Sequence, residues 1–227
     1  MNIALVLAAG SGTRMNVDQP KQFIVVKEKP LFIYSVEKFQ NNQNIDAIVI
    51  ATNKENITKV GELVKGYNKV KSVIAGGETR QQSVYNGIQE IAKLITSEKD
   101  LILIHDSARP LVSDAIIDEN IALGKRYGAV DTVVQASDTI INSKNKETIN
   151  ETLNRSELYQ AQTPQTFEYG IIRKAHERAL LDNIPNVTDD CKLVMNFGVE
   201  VHFAKGDKFN FKVTTPEDLE LFKALLK

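Results

Sequence analysis

The chain has 227 residues, 42% apolar and 25% charged, enough for a core that folds without covalent staples. Its 28 basic and 29 acidic residues leave a formal charge of −1, which excludes a general affinity for nucleic acid, so any positive site must be local. One cysteine, Cys191, cannot close an internal disulfide, and no apolar run approaches the roughly 20 residues of a membrane span.

The opening run carries no basic segment and ends at Gly10, too short for a signal peptide, so a soluble cytoplasmic protein is expected. Nearly continuous Ile, Val and Leu runs then recur: "IALVLA" (3–8), "DAIVIAT" (46–52), "KSVIAG" (71–76), "LILIH" (101–105) and "AVDTVVQ" (129–135). Such runs are the mark of strands covered on both faces. Between them apolar residues fall at helical spacing. Leu31, Phe32, Tyr34, Val36 and Phe39 share one broad face, and Val84, Ile88, Ile91 and Ile95 follow at steps of three or four. Alternating strands and helices predict an α/β protein, a Rossmann-like, mostly parallel sheet flanked by helices.

After Gln135 the rhythm changes. The polar stretch 137–157, with Thr139 and Ile141, then Ile149 and Leu153, placed about the turn-forming "NSKNK", predicts a β-arm projecting from the sheet. Two helices are expected at about 169–182 and 188–197. The runs "VEVHFAKG" and "FNFKV" precede a last helix, whose start is marked by Thr215, by Pro216 at its first position and by acids in its first turn. No repeat or linker divides the chain, so residues 1–227 read as one domain with an arm.

The loop Gly10-Ser11-Gly12-Thr13-Arg14 is open to several readings. It could be a plain glycine-rich turn with solvated basic residues. A dinucleotide fingerprint would need a third glycine where Met15 stands, and the phosphate-loop pattern would need a Gly-Lys pair that is missing. What remains is a loop whose small residues at 8–12 let backbone N–H groups approach a triphosphate, with Arg14 and Lys21 adding charge.

The segment "LAAGSGTRM…PKQF" resembles the signature of nucleotidyltransferases that join an NTP to a phosphorylated small molecule. With "GGETRQQSV", "HDSARP", "LYQAQTPQTF" and "FKVTTPEDL" in this order, the whole chain resembles the family of 2-C-methyl-D-erythritol 4-phosphate cytidylyltransferase and its relative, ribitol-5-phosphate cytidylyltransferase. The resemblance implies substitution at the α-phosphorus of CTP by a phosphate oxygen of a polyol phosphate, in a homodimer that uses Mg²⁺ or another divalent cation.

By the same resemblance Arg14, Lys21 and Lys212 are the catalytic cations. Ala8, Ala9, Gly10, Gly12, Gly77, Glu78, Ser83 and Asp106 bind the nucleotide, and Asp106 also serves the metal. Arg109, Thr139, Arg155 and Thr163 fall to the acceptor, with Arg155 reaching into a partner subunit. Plainer readings stand beside these: Lys212 as a solvated edge-strand lysine, Asp106 as a strand-end acid paired with Arg109, Thr79 as an N-cap with Arg80 solvated. His105 reads as structural, and Asp189 and Asp190 are assigned to no metal.

The acceptor is argued both ways. "LAAG" and "RQQSVYNG" lean to the methylerythritol enzymes, which act toward isoprenoid precursors. "AVDTVVQASDTI", "LYQAQTPQTF" and "DDCKL" lean to the ribitol enzymes, which make CDP-ribitol for teichoic acid or capsule. Methylerythritol phosphate is favoured, and a nucleotide-binding protein without turnover is the reading of another class.

Overall fold

Along the first strand, β1 (Asn2–Ala8), side chains alternate between two cores. Ile3 and Leu5 enter one apolar cluster, while Ala4, Val6 and Ala8 enter the other. That period of two on a strand buried on both faces is why the run reads as continuously apolar. The structure is a computed structural model that describes residues 1–10, 20–184, 187 and 189–226. Gly12 and Arg14, expected to cradle and neutralise the phosphates, lie outside the described residues.

After β1 come the small hairpin β2 (Val25–Val26) and β3 (Lys29–Pro30), helix α1 (Leu31–Asn41), strand β4 (Ala47–Thr52) and helix α2 (Ile57–Leu63). Strand β5 (Val70–Ala75), helix α3 (Arg80–Ile91), strand β6 (Leu101–Asp106), helix α4 (Asp114–Tyr127) and strand β7 (Ala129–Gln135) continue the alternation. The arm holds β8 (Ile141–Asn142) and β9 (Glu151–Thr152), and the chain returns as β10 (Tyr159–Glu168). Helices α5 (Tyr169–Leu181) and α6 (Asp190–Met195), strand β11 (His202–Lys205) and helix α7 (Pro216–Leu225) complete it.

The main sheet runs β11-β7-β10-β6-β1-β4-β5, parallel except for β10, which is antiparallel to both β6 and β7. Helices α3, α5 and α6 cover one face through Val84, Ile88, Ile172, Ala175, Leu193 and Val194. Helices α1, α2 and α4 cover the other through Phe32, Val36, Phe39, Val60, Ile116 and Ile117. Every apolar run read as a strand in the first 135 residues is one, and the two flanking helices fall where the spacing put them.

β10 departs from expectation, because "LYQAQTPQTF" reads as a polar motif rather than a strand. Its buried Gln162, Thr163, Gln165 and Thr166 find partners elsewhere in the chain; Thr166 Oγ1, for example, donates to Asn120 Oδ1 at 3.0 Å, and Gln162 Nε2 to the Asp207 carbonyl at 2.8 Å. Pro164 has no N–H, and the ladder to β7 shifts between Ala161 and Gln165, so the proline sits in a bulge where no donor is needed. The run "FNFKV" joins no sheet.

The arm is a short antiparallel pair closed by the Asn145 carboxamide, which accepts from the N–H groups of Glu147 and Thr148. Thr215 caps α7 and forms a reciprocal capping box with Asp218, as the sequence predicts. Phe222 of that helix meets Tyr34 of α1 edge to face at 5.1 Å, which docks the C-terminal segment against the front of the sheet.

Candidate active site

The chain proceeds from β1 to β4 and β5 on one side and returns to β6 on the other, so a crevice opens at the carboxyl ends of β1 and β6. Ligands of open α/β sheets bind at such a reversal. A cavity of about 340 Å³ lies there, within the usual range for small-molecule sites. Ala9 and Gly10 line it from the end of β1, Gly77 and Glu78 from the end of β5, and Asp106 from the end of β6. Lys21 and Lys212 reach it from opposite ends of the sequence. Ala8 is 1% exposed and is absent from the lining, its carbonyl accepting from Thr52 Oγ1.

Backbone bonds fix the two lysines. Val213 N–H donates to the Ala108 carbonyl at 2.8 Å, and the Val213 side chain is buried with Ile24, Leu31 and Phe222. On an extended segment the neighbouring side chain then faces the opposite way, toward the cavity. Lys212 is therefore no solvated edge-strand lysine; its Nζ donates to Asp106 Oδ2 at 2.6 Å. Lys21 Nζ donates to the Val213 carbonyl at 3.1 Å and so joins the first loop to the last segment.

Asp106 is set from below. Its backbone N–H donates to Thr163 Oγ1 at 3.2 Å, and that hydroxyl lies 2.9 Å from His105 Nδ1. His105 is fully buried, which pushes its pKa down to about 4, so the ring is neutral, donates through Nε2 to the Arg109 carbonyl and accepts from Thr163 through Nδ1. Thr163 is 4% exposed and its hydroxyl is committed to this chain. Thr163 also lines a recess with Asp106, Arg109 and Lys212.

Burial raises the pKa of Asp106, but the charges of Lys212 and Arg80 outweigh it and hold the carboxyl well below the usual carboxylate range. Its partners are these two cations, not Arg109. Arg109 donates instead to the carbonyls of Asn210 (2.8 Å) and Ala161 (3.2 Å), in the wall of a neighbouring recess it shares with Asp106 and Lys212.

The expected N-cap Thr79 accepts from Gln82 N–H, and the loop before it is tightly built. A Cβ on Gly77 would lie 2.3 Å from Gln82 Cγ, so only glycine fits there. Ser83 Oγ accepts from Gly77 N–H and donates to the Thr79 carbonyl. One lone pair remains, able to accept from an amine such as the exocyclic group of cytosine.

Arg80 is not solvated as the plain reading has it. Its Nη1 is 2.5 Å from Asp190 Oδ2 and its Nε 3.5 Å from Asp106 Oδ1. No local pattern signals this pair, because Asp190 is 110 residues distant and looks like an ordinary helix-start acid. Thr139 and Arg155 stay outside the cavity, exposed on the arm and its return, with Arg155 Nη1 donating to the Ser137 carbonyl at 2.9 Å.

Among the described residues no group of three or more His, Cys, Asp or Glu side chains could hold a metal ion. No helix among them is long and apolar enough to cross a membrane. The carboxylates that line the cavity, Asp106 and Glu78, are too few for an all-protein cage and would suit an ion that keeps most of its shell as water and ligand phosphate.

The profile of a family described as 2-C-methyl-D-erythritol 4-phosphate cytidylyltransferase matches residues 2–227. A relative with that name from Clostridium novyi (strain NT) is 42% identical over 229 aligned residues, spanning 100% of this chain and 96% of the relative. A solved structure of 4-diphosphocytidyl-2C-methyl-D-erythritol synthase superposes with a TM-score of 0.84 at 28% identity, covering 100% of this chain and 99% of that one. The Francisella tularensis 2-C-methyl-D-erythritol 4-phosphate cytidylyltransferase superposes with a TM-score of 0.83 at 31% identity, covering 99% of both chains.

Proposed function

Because this chain belongs to the 2-C-methyl-D-erythritol 4-phosphate cytidylyltransferase family, we propose that it joins the CMP moiety of CTP to 2-C-methyl-D-erythritol 4-phosphate, releasing pyrophosphate. The product is 4-diphosphocytidyl-2-C-methyl-D-erythritol, on the way to isoprenoid precursors. The observation that carries this reading is the meeting of Lys21 and Lys212 with Asp106 in one cavity at the reversal point of the sheet. Ribitol 5-phosphate is the disfavoured acceptor, since the relatives carry the methylerythritol name over the full length of the chain.

The attacking group is a phosphomonoester, largely dianionic near neutrality because its second pKa is about 6, so no general base is required. The barrier is electrostatic, an anion approaching a polyanion. One phosphate oxygen of the acceptor bonds to the α-phosphorus while the bond to the β-phosphate oxygen breaks, and that oxygen leaves with the pyrophosphate. Lys21 neutralises the nucleotide phosphates and the leaving group; Lys212, arriving from the other side, stabilises the five-coordinate phosphorus. Ala9, Gly10, Gly77, Glu78 and Ser83 hold the nucleotide. Asp106 is the protein ligand for Mg²⁺ or another divalent cation, which when bound offsets phosphate charge.

Arg109 and Thr163 line the recess beside Asp106 and Lys212 that suits the acceptor phosphate. Thr139 and Arg155 serve the acceptor across a homodimer, each arm completing the partner's site. Exposed Ile141 and Ile149 on the arm, and the exposed Tyr159–Phe203 ring pair at 4.9 Å near its base, give that dimer apolar surface to bury. The chain works in the cytoplasm as one domain with the arm 137–157. Incubation with CTP, Mg²⁺ and each polyol phosphate, read as pyrophosphate release, tests the activity. Turnover with ribitol 5-phosphate alone overturns the acceptor, and no turnover with either favours the non-catalytic binding reading.

A further inference from the structure

Arg80 opens α3, where the aligned peptide dipoles disfavour a cation. Its side chain is nonetheless only 23% exposed, and each of its three nitrogens faces a protein acceptor. Nη1 donates to Asp190 Oδ2, Nη2 lies 3.4 Å from Gln165 Oε1, and Nε points at Asp106 Oδ1 from 3.5 Å. Burial disfavours the guanidinium charge, but Asp190 and Asp106 outweigh that and raise its pKa. Asp190 is itself held on three sides. It is 1% exposed, its second oxygen lies 3.1 Å from Nε2 of the equally buried His176, and its backbone N–H reaches Gln165 Oε1.

The two oxygens of Asp106 are therefore divided between two cations, Oδ1 to Arg80 and Oδ2 to Lys212. We propose that Arg80, anchored by the buried Asp190 and His176, is a positioning residue that holds Asp106 so that Lys212 can leave it for the reacting phosphate. A carboxylate turns readily about its last torsion, and a fixed cation 3.5 Å from one oxygen restrains it. The fork also supplies a counter-charge that stays. With Lys212 as its sole partner, Asp106, 14% exposed, would be stranded when the lysine moved to phosphate, and would hold the lysine back. The inference rests on the proposed roles of Asp106 and Lys212, and the mechanism above does not need it.

A double-mutant cycle tests it, with Arg80→Gln and Asp106→Asn made singly and together, and Km and kcat read by pyrophosphate release with CTP and the polyol phosphate. Arg80→Gln is expected to lower kcat at least about tenfold with little change in the KM for CTP, and to cost less than about twofold in the Asp106→Asn background. Multiplicative losses in the two backgrounds overturn the inference, since a purely structural ion pair weakens the enzyme whatever stands at 106. If Arg80→Gln does not fold, judged by circular dichroism, Asp190→Asn replaces it, with the same shape and the same expected coupling. A wild-type protein that releases no pyrophosphate sinks the proposed function itself. An active wild type with an additive cycle sinks only the role of Arg80.

Discussion

Lys212 Nζ and Asp106 Oδ2 are 2.6 Å apart, although their residues are separated by 106 positions in sequence. The pair keeps Asp106 ionised, since without a counter-charge burial would raise its pKa. Under the proposed mechanism Lys212 moves from this partner to the reacting phosphate, while Lys21 faces the leaving group.

Loss of either lysine should therefore act on the transition state more than on nucleotide binding. Lys21→Ala and Lys212→Ala are each expected to lower kcat at least about tenfold, with kcat/KM falling in step and CTP affinity less affected. Steady-state kinetics with equilibrium CTP binding checks this. A Lys21→Ala enzyme with normal kcat and only a raised KM for CTP would make that lysine a ground-state ligand.

Arg155 should report on the acceptor alone. Arg155→Ala is expected to raise the KM for the polyol phosphate about tenfold or more, because a guanidinium fork gives a phosphate two directed hydrogen bonds that a methyl group cannot. Nucleotide binding should stay near that of the wild type. Unchanged acceptor kinetics would remove Arg155 from the site.

Asp131 predicts a pH dependence. Burial, reinforced by the neighbouring charge of Asp189, pushes its pKa up to about 7, although Gln165 donates to it at 3.1 Å. A carboxyl with a folded pKa above its unfolded value of about 4 contributes stability that is complete below pH 4 and lost as pH rises to about 7. His105, depressed to about 4, works the other way, its share being lost as pH falls from 6.5 toward 4. Comparing the wild type with Asp131→Asn cancels His105. The variant, shaped like the protonated acid, should melt higher at pH 8, by a free energy on the order of a few kcal/mol, and lose the advantage by pH 4. Equal melting temperatures at pH 8 would show that Asp131 ionises there without cost.

The parallel half of the sheet was legible because β1, β4, β6 and β7 are buried on both faces, which forces near-continuous apolar runs. β10 was not, because its buried Gln162, Thr163, Gln165 and Thr166 are satisfied by side chains and, for Gln162, by the Asp207 backbone, all far along the chain. Within the site, Lys21, Lys212, Asp106, Gly77 and Ser83 came from the family resemblance, and all five line one cavity. The partnership of Arg80 with Asp190 escaped notice for a physical reason. Local pattern registers helix starts and caps, and both residues look like unremarkable ones; only packing of α3 against α5 and α6 brings their charges together. Thr163 shows the same division, since its motif gives its place at the strand end but not the His105 ring that accepts from its hydroxyl.

The arm carries the last prediction. Thr139 and Arg155 are exposed and line none of the cavity that holds Lys21 and Lys212, so a role for them at the acceptor requires a second chain. The arm is too polar to form a core of its own, and its two-residue strands make a ladder that would be marginal alone. If Arg155 acts across a homodimer, Lys21→Ala and Arg155→Ala subunits should complement each other after exchange. Each mixed dimer contains one site with both residues wild type and one with neither. Random mixing makes roughly half of the dimers mixed, so about a quarter of wild-type activity should return from two nearly inactive proteins. Sedimentation should show a dimer at the assay concentration. A monomer there, or no recovery after proven subunit exchange, would confine the site to a single chain and leave Arg155 without a part in it.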